Sequence, residues 1–137
     1  MPPSSIKSSK PINLDALTAL MVSWPRSWAG TQKDIPFGEN LVSEMKPFIA
    51  HLASKGLTRA TIRRHLDNCW AIGGEIIRQI NDFPKLAKSD PRKLLLDSIQ
   101  NGEAPLVHNA SFEEQRAFDA TARKLLRFFE DSRNLSD

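Results

Sequence analysis

The chain has 137 residues, 40% of them hydrophobic, with Lys+Arg 19 against Asp+Glu 16 and a formal net charge of +3. That length supports one domain with a modest core. The single cysteine, Cys69, rules out an internal disulfide and fits a reducing compartment. No run of roughly 18 apolar residues is present to span a bilayer, and the Ser-, Pro- and Lys-rich start lacks the apolar segment of a secretory signal. A soluble, cytoplasmic protein is expected.

Residues 1–12 are expected to be disordered. Leu14, Leu17, Leu20 and Met21 have helical spacing, with Asn13 as a candidate cap. Residues 23–38 hold Trp24, Trp28, Pro25, Pro36, Gly30 and Gly38 and read as an irregular loop. Trp24 and Trp28 are expected to pin that loop onto the core, with base stacking as the sharper alternative. The first main helix is predicted over Asn40–Ser54, with Leu41, Met45, Phe48, Ile49 and Leu52 on its inner face. Pro47 predicts either a kink or a late start, and Gly56 a C-terminal cap.

Thr58 reads as the N-cap of a second helix running to about Ile80. Its buried stripe is Ile62, Leu66, Cys69, Gly73, Ile76 and Ile80, widened by Trp70 and Ile77. Arg64 and Asn68 are expected to project away from that stripe, with Arg59 and Arg63 flanking it. The Gly73-Gly74 pair costs about 1 kcal/mol per glycine relative to Ala in a helix interior. It is best tolerated where another helix meets the backbone. Asp90-Pro91 starts a third helix ending near Asn101-Gly102, with Leu95 and Ile99 as core contacts. Ser111-x-x-Glu114 is a capping box for a fourth helix reaching about Glu130. Phe118, Ala122, Leu125, Leu126 and Phe129 face its core side. Arg116, Arg123 and Arg127 lie opposite, beside Lys124.

No convincing strand appears, so the expected fold is all-α: a bundle of four to five helices with an irregular N-terminal extension. The expected divisions are a tail at 1–12, a short helix and loop packed on the core at 13–38, a helical domain at 39–131 and a tail at 132–137.

The distribution of charge says more than its sum. Lys46, Lys55, Arg59, Arg63 and Arg64 fall between residues 46 and 66 with no carboxylate among them, and His51 and His65 lie in the same stretch. Such a patch is an electrostatic footprint for phosphate. Arg59, Arg63 and Arg64 also sit at the helix end where the macrodipole favours anions rather than cations, an arrangement that an outside phosphate would relieve. The plainer reading is a solvated basic helix end.

Signals for enzyme chemistry are weak. His65 and Cys69 stand one turn apart, but no third metal ligand has supporting spacing. There is no Gly-rich phosphate loop, no nucleophile elbow and no obvious carboxylate pair in an apolar setting. No cofactor or small-molecule substrate is implied.

Phe48-Ile49-Ala50-His51-Leu52, Lys55-Gly56-Leu57-Thr58, and Thr61 with Ile62 and Leu66 resemble the opening of the core-binding domain of tyrosine recombinases, the phage integrases. Arg123-Lys124-Leu125-Leu126-Arg127-Phe128-Phe129 resembles that domain's last helix. The resemblance covers roughly residues 41–131 and implies a small SAM-like bundle that clamps one side of duplex DNA. It would make Thr58, Arg59, Thr61, Arg63 and Arg64 backbone or groove contacts, with Arg123, Lys124 and Arg127 as a second set. The chain departs from the family in several ways. It contains no Tyr, so the family's covalent nucleophile is missing. The family's catalytic Arg and His motifs are missing too, and its catalytic domain would begin where this resemblance ends. The segment 81–109 is longer than the family's domain needs, and the Trp-rich N-terminal loop has no counterpart.

The expected function is therefore a non-catalytic DNA-binding module. Lys46 and Lys55 would add phosphate contacts, and Arg64, Asn68 or the last helix would supply any sequence readout. The competing expectation is a protein-interaction module on the same scaffold, using the Trp24–Phe37 loop or the last helix. A third is an integrase remnant without a measurable activity.

Overall fold

The computed structural model describes residues 13–136, with side chains up to Ser132. The tail expected at 1–12, and Asp137, lie outside the described residues. Asn13 accepts from the Ala16 N–H and caps α1, Leu14–Ala19, which tightens into a 3-10 turn over Leu20–Ser23. Leu17 and Met21 go into the core, whereas Leu20 is exposed.

The irregular loop expected over 23–38 is largely helical. Trp24–Trp28 form a short helix, α2, with Pro25 in its first turn, where a missing N–H costs nothing. The next helix, α3, spans Asp34–Ser54 and begins well before Asn40. Asp34 is buried and organises the 29–33 turn. Its Oδ2 accepts from the backbone N–H groups of Gly30 (2.8 Å) and Thr31 (3.1 Å) and from Asn81 Nδ2 (3.0 Å). Burial would raise this carboxyl, but the bonds from Asn81, Thr31 and Gly30 outweigh it and hold it below the usual value. Gly38 is a packing glycine inside α3: a Cβ there would sit 3.1 Å from the Pro25 backbone. The expected boundary at 38/39 thus falls within a helix, and Trp24 and Trp28 belong to the same core as the rest.

Helix α3 runs through Pro47 without ending. Both Pro47 and Ser43, whose carbonyl loses its helical partner, are exposed, so water can satisfy that oxygen. Gly56, at φ 75°, lets the chain leave the helix. Thr58 then caps α4, Arg59–Asp82, accepting from the Thr61 N–H at 3.2 Å. No acidic residue lies in the first turn of α4. A 3-10 turn over Pro84–Lys88 leads to α5, Pro91–Ile99, capped by Asp90. Ser111 and Glu114 form the expected reciprocal cap, at 3.0 and 2.8 Å. They open α6, Phe112–Ser136, which continues past Glu130 and through the residues expected to form a tail.

The fold is all-α, with no strand among the described residues. Helix α4 sits centrally, packing on α2, α3, α5 and α6. Its Gly73-Gly74 pair lies under the Trp28 indole, and a Cβ at Gly73 would fall 2.6 Å from Trp28 Cη2. Trp28 Nε1 donates to the Trp70 carbonyl at 2.9 Å. The glycines are therefore the seat for α2.

A candidate nucleic-acid interface

Helices α4 and α6 run antiparallel, because Asn68 meets Ala117 and Thr121 while His65, one turn earlier on α4, meets Thr121 and lies close to Lys124. Their seam is polar. Asn68 Nδ2 donates to Thr121 Oγ1 (2.9 Å) and to the Ala117 carbonyl (3.3 Å). Thr121 Oγ1 also lies within hydrogen-bond distance of His65 Nδ1, at 2.8 Å. Thr121 is fully buried, and nothing local in the sequence marks it.

This seam corrects one expectation. Asn68 does not project outward: it is 8% exposed and committed to α6, so it is a structural residue rather than a reader of base edges. Arg64 and Lys124 do reach the surface, one from each helix, and both lie near enough to His65 for their charge to disfavour its imidazolium. Arg127, one turn beyond Lys124, is also exposed. His51 is half-buried, its ring 5.1 Å from that of Phe128.

The remaining cations do not all join this face. Arg63 is about 200° around α4 from His65 and makes an exposed ion pair with Asp67 at 3.4 Å. Arg59 is exposed, one turn before Arg63. Lys46 is exposed on α3, about 200° from the buried Phe48. Arg123 leans over the turn after α5, where a Cβ on Gly102 would sit 3.1 Å from its Cγ. Lys55 is exposed in the α3–α4 connection. The Thr58 hydroxyl is used in the cap, and it donates to Thr61 Oγ1 at 2.9 Å. The cluster thus divides into an α4–α6 group of Arg64, Lys124 and Arg127, a helix-end group of Lys55 and Arg59, and three outliers.

Burial lowers the pKa of His65 below its ordinary 6.5, and Lys124 and Arg64 push it the same way. The folded state disfavours the imidazolium. The penalty is absent above pH 6.5 and grows as pH falls toward the lowered folded value. Wild-type melting temperature is expected to drop more between about pH 7 and pH 5 than that of His65→Gln. Parallel melts of the two proteins check this, and identical pH profiles would contradict it.

Cys69 is fully buried and its thiol is pushed up to about 12 by burial, so it is a core residue. Among the described residues no three His, Cys, Asp or Glu side chains gather where a metal could bind. No helix among them is long and apolar enough to cross a membrane. Trp70, expected to widen the buried stripe, is instead 44% exposed.

The architecture defines an all-α helical bundle with a basic face. Comparison with protein-family models, curated proteins and solved structures finds no match to this chain.

Proposed function

We propose that the chain is a non-catalytic DNA-binding module of the integrase core-binding type. In this reading it contacts duplex phosphates with the α4–α6 face and the basic start of α4. The observation that carries the reading is the pairing of Arg64 with Lys124 across the seam. Two exposed cations from helices far apart in sequence both lie near His65, and neither makes an ion pair among the described residues. Surface cations are ordinarily diluted by carboxylates, as Arg63 is by Asp67. Here both lie near His65, a histidine that their charge helps keep neutral.

Lys55, Arg59, Arg64, Lys124 and Arg127 make no ion pair among the described residues. If these five each neutralise one phosphate, the log–log salt slope is about −4.5. Fluorescence anisotropy of a labelled duplex at several salt concentrations tests this. Arg64→Ala with Lys124→Ala is expected to flatten the slope by about 2 and to weaken binding to all sequences alike. No binding at low salt, or a slope untouched by the two substitutions, overturns the assignment.

A further inference from the structure

We infer that the groove between α2, α4 and α6 is a site for an unpaired nucleobase, so that the nucleic acid bound is a duplex with a single-stranded segment rather than a blunt one. This rests on the DNA-binding reading and specifies its substrate.

The groove has a volume of about 470 Å³ and is lined by Trp24, Trp70 and Phe118, with Ser27 and Asp67 among its polar groups. Trp24 is nearly buried and Phe118 half-buried, so they form its inner wall. Trp70 stands 44% exposed beside them. Its ring is not loose: Nε1 donates to Ser27 Oγ at 2.8 Å, and the Ser27 hydroxyl donates on to the Trp24 carbonyl at 2.7 Å. A large indole is thus held with part of its surface in water, outside the core that contains the other two tryptophans. Fixing it at the surface gives a platform whose ordering cost is met before any ligand arrives.

Charge selects the occupant. Arg64, which makes no ion pair among the described residues, lies six residues before Trp70, about 9 Å along the axis of α4, beside Arg63, whose charge is partly taken up by Asp67 at 3.4 Å. A strand whose phosphates meet these cations is led along α4 toward the groove. Asp67 lies between the cations and Trp70 and lines the groove. Its carboxylate repels a phosphate but accepts from the amino groups of a base. The phosphate therefore stays at the arginines and the base enters. Cations tracking a backbone beside an aromatic stacking surface are the usual composition of single-strand sites.

The test compares two labelled hairpins of the same duplex sequence, one blunt and one with a short unpaired 3′ overhang, titrated with the full chain. The overhang hairpin is expected to bind about 10-fold tighter, within the range for stacking one base on an aromatic side chain. Trp70→Ala is expected to erase that advantage while leaving blunt-hairpin affinity within about twofold, and Trp70→Phe to keep most of it. Circular dichroism melts of both variants establish that they fold. Overhang binding by the wild type should also quench tryptophan fluorescence, and the quench should be smaller in the folded Trp70→Phe, where Trp24 is the one tryptophan left on the groove wall. Equal wild-type affinity for the two hairpins overturns the inference and leaves the duplex reading intact. An equal loss on both hairpins in Trp70→Ala also overturns it. Failure to bind either hairpin overturns the reading beneath it.

Discussion

Trp28→Ala is expected to destabilise the protein by about 3–5 kcal/mol, the range for removing a buried aromatic side chain. The ring is 9% exposed, seated on the backbone of α4 at Gly73-Gly74 and against Trp24, with centroids 5.7 Å apart. Its N–H is bonded to the Trp70 carbonyl. Truncation removes the ring by which α2 packs on the α4 backbone and leaves a void over two residues that have no side chain to fill it. The reciprocal substitution separates packing from propensity. Gly73→Ala would gain about 1 kcal/mol of helix propensity, yet its Cβ would collide with a rigid ring that has no free end to move. Overpacking of that kind costs about 1–3 kcal/mol, so net destabilisation is expected. Gly74→Ala meets Trp28 Cδ1 only at 3.3 Å and is expected to be near neutral. The decisive comparison is the double variant. With Trp28 already Ala, Gly73→Ala should become stabilising, a reversal of sign visible in urea unfolding as a coupling energy. If Gly73→Ala is stabilising in the wild-type background, the ring does not rest on that backbone.

The same glycines show where the sequence was readable and where it was not. Thr58, Asp90-Pro91 and Ser111-x-x-Glu114 were legible because each cap is made within one turn. The signal and the structure then share a few residues. Gly73-Gly74 could be recognised as a packing site, but not its occupant, since Trp28 lies more than forty residues earlier (|i−j| 42 for its bond to Trp70). Residues 23–38 misled for the opposite reason. Pro25 and Pro36 are tolerated in first turns, and Gly38 is a close-approach residue rather than a turn. Punctuation that normally marks loops was used to start helices and bring them together. Asp34 followed by Pro36 was in fact an available helix-start signal, an acid and a proline in the first turn.

The basic candidates follow the same division. Their concentration between residues 46 and 66 was plain from composition. Which of them share a face depends on how α6 lies on α4. That register is set by Thr121, 56 residues from His65 and 53 from Asn68. Asn68 looked outward because a polar residue off an apolar stripe ordinarily faces water. Nothing near it announced a buried hydroxyl partner. Arg64 and Lys124 were both named from the sequence, in separate sets. Only the seam joins them.

Thr121→Val should therefore expose the dependence of the face on the seam. The substitution keeps the shape of a fully buried residue and deletes the hydroxyl that bonds both Asn68 and His65. Asn68 retains only the longer bond to the Ala117 carbonyl, and Nδ1 of His65 loses its partner. Leaving a buried polar group unsatisfied costs about 1–3 kcal/mol, so a loss near 2 kcal/mol is expected in urea unfolding. Thr121→Ser, which preserves both bonds, should lose distinctly less. If the two variants lose the same amount, the hydroxyl is not the feature that holds α6 to α4. The consequence for DNA is separable from that for stability. Under the proposed DNA binding, Arg64, Lys124 and Arg127 all remain in Thr121→Val, so the number of phosphates neutralised, and with it the salt slope, should stay near the value of about −4.5 expected for the wild type. Affinity should fall at every salt concentration, because cations on a loosened seam must be ordered on binding. A parallel downward shift of the salt plot assigns the seam to preorganisation, while a change in its slope would mean that the hydroxyl also decides which cations reach the backbone.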